Sequence, residues 1–221
     1  VGSENLFHKR KAKSAKNLQR KGARRAAYKK ILIVCEGEKT EPNYFEGARE
    51  YYELNTVNVE VRGDCGSDPM SIVSFAKQRY REEKDAGDPF DQIYCVFDKD
   101  GHATYTRAID ALTSATPKDT YFTINSVPSF EYWLLLHFVY STRPYTALPG
   151  NSSGNQVLTD LKNYIPDYEK GRRTIFEELI EQLEQAKNYA KRVLQESKRN
   201  QTDNPSTRVH ELVEALQKLK D

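Results

Sequence analysis

Hydrophobic positions along the chain keep two rhythms, and the two alternate. Ile31–Cys35 is an unbroken, largely β-branched apolar run, as expected of a strand covered on both faces. After a polar turn at 36–40, Tyr44, Phe45, Ala48, Tyr51 and Tyr52 recur at helical spacing, with Thr40 as N-cap and Pro42 in the first turn. Val57, Val59 and Val61 alternate and predict a second strand over 56–61. A loop at 63–66 leads to Asp68-Pro69, which opens a helix with Ile72, Val73, Ala76 and Tyr80 on one face. A break at 85–89 precedes a third strand at 92–97, which runs into Asp98-Lys99-Asp100-Gly101. A helix over 105–112 follows, then a strand over 120–124. A strongly apolar helix opened by Pro128-Ser129 and carrying Trp133 to Leu136 and Phe138 comes next. Residues 31–140 therefore read β-α-β-α-β-α-β-α. That order predicts an α/β domain with a parallel sheet flanked by helices and right-handed crossovers.

Beyond 140 the pattern changes. Pro144, Pro149, Gly150, Ser152, Ser153 and Gly154 mark a loop, followed by a short helix near 157–164. A long helix is predicted from Thr174, where Thr174 and Glu177 fit a capping box, with a stripe of Phe176, Leu179, Leu183, Ala186, Ala190 and Val193. A last helix near Pro205 carries Val209, Leu212, Val213, Leu216 and Leu219. The chain thus divides into an arm at 1–30, the α/β domain at 31–140, and a loop with C-terminal helices at 141–221. Those helices pack on the α/β body or pair two copies as a homodimer.

Charge changes the picture at the N-terminus. Residues 1–30 hold eleven Lys/Arg against one acid, Glu4; that +10, set against the whole chain's +2, leaves −8 for residues 31–221. A basic arm on an acidic body suits phosphate, here a nucleic-acid backbone, with Lys9, Arg10, Lys11, Lys21, Arg24, Arg25 and Lys29 as its contacts. A solvated leader, or an arm lying on its own body, reads equally well. With 14 Tyr and 9 Phe as core material the chain is not disordered throughout. The longest apolar run, near 133–139, is less than half of the ~20 residues a membrane helix needs. No signal peptide is legible. Three scattered cysteines, Cys35, Cys65 and Cys95, form neither a disulfide framework nor a zinc motif, which points to a reduced, cytoplasmic protein.

The acids at the strand ends carry the candidate chemistry. Ligands of an open parallel sheet bind beyond the carboxyl ends of its strands. Strand one ends in Glu36, strand three in Asp98 and Asp100, and strand four leads to Glu131. Alternation puts Asp98 and Asp100 on one side, and Gly101 permits the turn beneath them. Clustered carboxylates repel one another, a cost that a divalent cation removes. Oxygen-only ligands favour Mg2+ or Mn2+ over zinc, and such an ion suits phosphoryl transfer or phosphodiester hydrolysis. Several residues keep two readings. Glu131 either meets a helix dipole or acts as a further ligand or general base. Lys39 meets a phosphate or a neighbouring acid. Glu38 and Glu41 face solvent, cap the helix or stand behind Glu36. His102 is a loop residue or a general acid. His137 reads as core and Ser129 as a helix cap. Tyr140, Arg143, Tyr145, Arg172 and Arg173 form a plain surface loop or a stacking platform for single strands.

Three segments carry a resemblance. Ile31-Leu32-Ile33-Val34-Cys35-Glu36-Gly37-Glu38-Lys39-Thr40-Glu41-Pro42 resembles the opening motif of the RloB family. Pro128-Ser129-Phe130-Glu131-Tyr132-Trp133-Leu134-Leu135-Leu136-His137-Phe138 and Asn204-Pro205-Ser206-Thr207-Arg208-Val209-His210 are similar to two further motifs of that family. The likeness spans about 31–220. It implies a Toprim-like domain in which Glu36 is the acid after strand one and Asp98 and Asp100 are the DxD pair. It also implies a role in prokaryotic anti-phage defence, beside an ATPase of the ABC/AAA type, with RNA (tRNA included) or DNA as substrate. The chain is too short for the separate tyrosine domain of a topoisomerase and lacks a primase's zinc-binding domain.

The expectation is a metal-dependent nuclease. Glu36, Asp98 and Asp100 hold Mg2+ or Mn2+, Glu131 assists, Lys39 clamps phosphate and the arm binds the backbone. The alternative is a catalytically silent subunit that docks on an ATPase. A glycosyltransferase, which also places DxD after a strand, and a receiver-like domain fit less well.

Overall fold

The computed structural model describes residues 29–99 and 101–220. The helices and strands alternate as the pattern predicts. In chain order they are β1 (Ile31–Cys35), α1 (Thr40–Tyr51), β2 (Val59–Arg62), α2 (Pro69–Asp85), β3 (Gln92–Asp98), α3 (Tyr105–Thr113), β4 (Tyr121–Val127) and α4 (Glu131–Leu135). Then come α5 (Ser153–Lys162), α6 (Ile175–Glu178), a 3-10 turn (Ile180–Gln182), α7 (Leu183–Asn200), β5 (Ser206–Thr207) and α8 (Val209–Lys220). The strands form one sheet in the order β2-β1-β3-β4-β5. The first four are mutually parallel, and β5 pairs antiparallel with β4. This is the expected α/β fold, a mostly parallel sheet flanked by helices, with a C-terminal helical extension.

Strand alternation divides the core into two layers. Ile31, Ile33, Cys35, Tyr94, Val96 and Ile124 face one side, under α1, α4, α7 and α8. Leu32, Val34, Ile93, Cys95 and Phe97 face the other, under α2 and α3. Because β1 is apolar on both faces, burial alone does not pin its register. Pairing continued past its ends does: Ile31 N donates to Asn58 O at 2.6 Å and Glu36 N to Val96 O at 2.9 Å. The latter bond fixes Glu36 at the carboxyl edge of the sheet. The apolar stripe predicted from Thr174 onward is buried in the first layer, together with Val209, Leu212, Val213 and Leu216 of α8. The C-terminal helices thus cover the sheet with the residues that would otherwise pair two copies.

Several boundaries differ from the pattern. β2 starts at Val59, leaving Val57 in a turn and 72% exposed. Thr40 does not cap α1; its hydroxyl accepts from Gly171 N at 3.1 Å. β4 extends to Val127 because its polar end is satisfied by pairing, with Ser126 and Thr207 hydroxyls bonded at 3.0 Å. α4 is one short turn, since the backbone tightens after Leu135, with His137 N donating to Leu134 O and Phe138 N to Leu135 O. The capping box at Thr174 does not form. Its hydroxyl donates to Glu178 Oε1 at 2.5 Å, and the predicted long helix is broken into α6, the 3-10 turn and α7. The last helix begins at Val209, because Ser206 and Thr207 are drawn into the sheet.

Candidate functional site

β1 and β3 lie side by side, so Glu36 and Asp98 meet at their carboxyl ends. Glu36 Oε2 accepts from the Asp98 backbone N at 2.9 Å, and its Oε1 lies 2.9 Å from His102 Nε2. His102 therefore stands in the site. Its loop is tied down by Thr104, whose hydroxyl donates to Asp68 Oδ2 at 2.5 Å, while Asp68 caps α2 through Met70 N and Ser71 N. The turn carrying Glu36 is pressed from the other side by Gly63. A Cβ at Gly63 would stand 2.5 Å from both Gly37 O and Pro42 Cγ, so the exit of β2 admits only glycine there.

Asp98 Oδ2 accepts from Phe130 N at 3.0 Å, which joins the end of β3 to the start of α4. The next residue, Glu131, is 2% exposed. Its Oε2 accepts from Ser129 Oγ at 2.8 Å, and its Oε1 lies 3.2 Å from Lys170 Nζ. Ser129 is thus the partner of Glu131 and not a helix cap. Glu41, in the first turn of α1, is buried as well. The reading that sent it to solvent is corrected: α1 turns it inward, towards Glu36 and Glu131.

The electrostatics follow from this crowding. Burial, with repulsion from Glu131 and Glu36 added, pushes the Glu41 carboxyl up to about 8, against the pull of its own backbone hydrogen bond and of Lys170. Asp98 keeps some contact with solvent. Desolvation, followed by Glu41, Glu131 and Glu36, still holds its carboxyl well above the ordinary range, although the Phe130 N–H opposes the shift. Burial works to lower the Lys170 ammonium, yet Glu131, Asp98 and Glu41 together hold it above its usual value.

The remaining expected residues fall in different places. Lys39 is exposed on the turn beside Glu36, its stem against Gly171, where a Cβ would come within 2.9 Å of Lys39 Cβ. Lys99 points away from the acids and pairs with Asp203 at 2.6 Å. Lys29 is exposed at the start of β1, while Lys30 is tied to Glu83 and Asp88. Asp100, and Lys9, Arg10, Lys11, Lys21, Arg24 and Arg25 of the arm, lie outside the described residues. The stacking platform after α4 does not form: Tyr145 is buried with its hydroxyl on Asp160 at 2.8 Å, Arg143 pairs with the same carboxylate, and Arg172 pairs with Asp167 and Glu178. His137 is core, as expected, its Nδ1 3.1 Å from Trp133 O and burial lowering it to about 4. Lys170, in an aperiodic loop 39 positions beyond Glu131, carried no signal in the sequence.

In its donor chemistry this set fits a hard divalent cation: carboxylate oxygens, crowded at one edge of the sheet. Among the described residues no three acids, cysteines or histidines converge to hold an ion. The oxygens of Glu36 and Glu131 are instead engaged by the chain's own groups.

A family model described as RloB-like protein matches residues 31–216. No curated protein and no solved structure matches the chain. Among the described residues no helix is long and apolar enough to cross a membrane.

Proposed function

The chain belongs to the RloB-like family, and on that premise we propose that it is a metal-dependent nuclease that hydrolyses phosphodiesters of RNA, tRNA included, or DNA. The observation that carries this reading is the crowding of carboxylates at the carboxyl ends of β1 and β3, where desolvation and mutual repulsion raise Glu41 and Asp98 above the ordinary carboxylate range. Glu36, Asp98 and Asp100 would hold Mg2+ or Mn2+. When bound, that ion supplies stabilisation of charge on the phosphoryl group and a water acidic enough to attack at neutral pH. His102 Nε2, 2.9 Å from Glu36 Oε1, stands beside that ligand at the rim. Glu131, its Oε2 accepting from Ser129 Oγ, would assist as a further ligand of that ion. Lys39, exposed on the adjoining turn, meets substrate phosphate, and the basic arm with Lys29 holds the backbone non-specifically.

The test incubates purified protein with a tRNA pool and with plasmid DNA, in Mg2+, Mn2+ or chelator, beside Asp98→Asn and Glu36→Gln. Cleavage that needs the metal and disappears in both variants is the expected result. Protein that neither cleaves nor binds metal sinks the reading. A cytoplasmic role in anti-phage defence beside an ABC/AAA-type ATPase is supported by family likeness. It is tested by phage challenge of cells carrying the gene with and without a co-expressed ABC/AAA-type ATPase gene; protection that needs neither gene sinks it.

A further inference from the structure

Among the described residues Glu36, Glu41, Asp98 and Glu131 bring carboxylates to the site, and the Lys170 ammonium leans into them. Glu131 is 2% exposed, so its charge has no water to disperse it, and Lys170 Nζ lies 3.2 Å from its Oε1. The lysine comes from outside: its side chain is 63% exposed, so the ammonium can withdraw into solvent without opening the core. Its loop, in contrast, is anchored. Gly171 N donates to Thr40 Oγ1 at 3.1 Å, and Asn43 Nδ2 donates to Gly171 O at 2.6 Å. Both anchors belong to the first turn of α1, which also carries Glu41. Gly171 takes φ +83° there, with Lys39 packed where a Cβ would be. The backbone is therefore fixed, the side chain is free to leave, and the ammonium fills the position of positive charge beside Glu131.

We propose that Lys170 is a resident counter-ion of the acid cluster, which a divalent cation must displace from Glu131 to occupy the site. The inference rests on the metal-site reading above. A dication and an ammonium compete for the Glu131 carboxylate and repel one another beside it, so binding of one opposes binding of the other. Lys170 then sets the metal concentration at which the site fills and keeps the buried acids balanced until it does. Once displaced, it stands in solvent at the mouth of the site.

The test is calorimetric titration of Mn2+ into the full chain and into Lys170→Gln, Lys170→Arg and Asp98→Asn. Lys170→Gln should bind about 5- to 150-fold more tightly than the parent, the range of ordinary coupling between sites. Lys170→Arg keeps the charge and should bind as the parent does, and Asp98→Asn should lose binding. Unchanged or weaker binding by Lys170→Gln, with binding still lost in Asp98→Asn, overturns the counter-ion role and leaves the metal site standing. Absence of Mn2+ binding in the parent and in Lys170→Gln alike overturns both.

Discussion

Replacing Glu41 by Gln should make the metal-free protein more stable, and more so as pH rises. In the unfolded chain this carboxyl titrates at its ordinary 4.5, whereas burial and its acidic neighbours raise it to about 8 in the fold. Below 4.5 both states are protonated and the site costs nothing. Above it the unfolded state releases a proton that the folded state keeps, so stability falls with pH until the folded group ionises near 8. At about 1.4 kcal/mol per pH unit, Glu41 removes about 2 kcal/mol between pH 6.5 and 8. Gln is isosteric and carries no charge, so this slope vanishes in the variant. Asp98 adds to the effect, because Glu41 is the largest charge raising it. The assay is urea unfolding in EDTA at pH 6.5 and pH 8, with parent and Glu41→Gln side by side. The advantage of the variant should grow by about 2 kcal/mol or more across that window. An advantage that is equal at both pH values refutes the argument that Glu41 is held protonated.

At the acid end the sign reverses: burial lowers His137 and His210 from 6.5 to about 4, so the folded state resists their protonation. Their contribution is complete above pH 6.5 and should be lost as pH falls towards 4, about 3 kcal/mol each, seen as a steepening loss of the urea midpoint below pH 6. Gly171→Ala places a Cβ at φ +83° and 2.9 Å from Lys39 Cβ. It should cost about 1 kcal/mol or more, and faster proteolysis of the loop that carries Lys170 would show where the cost falls.

Much of the fold is legible in the chain itself. A strand apolar on both faces and a helix with one apolar stripe bury their surface in few ways, and their alternation from Ile31 to Leu136 specifies a covered parallel sheet. Glu36 and Asp98 were legible for the same reason: each is the first polar residue after an apolar strand, and neighbouring parallel strands end at one edge. Other features depend on partners far along the chain. Ser206 and Thr207 form a strand only because Ser126 offers an edge to pair with. Glu41 is acidic in a helix's first turn, a place equally good for solvent, and becomes buried only when α4 and the loop behind it close over α1. Lys170 reaches Glu131 because Gly171 is fastened to Thr40 and Asn43, contacts across about 130 positions that no local periodicity encodes. Backbone pattern is written in local spacing, because burial of an apolar face depends on residues a turn or two apart. The charge balance of the site belongs to tertiary structure, because a carboxylate's ionisation depends on which distant groups take its water away.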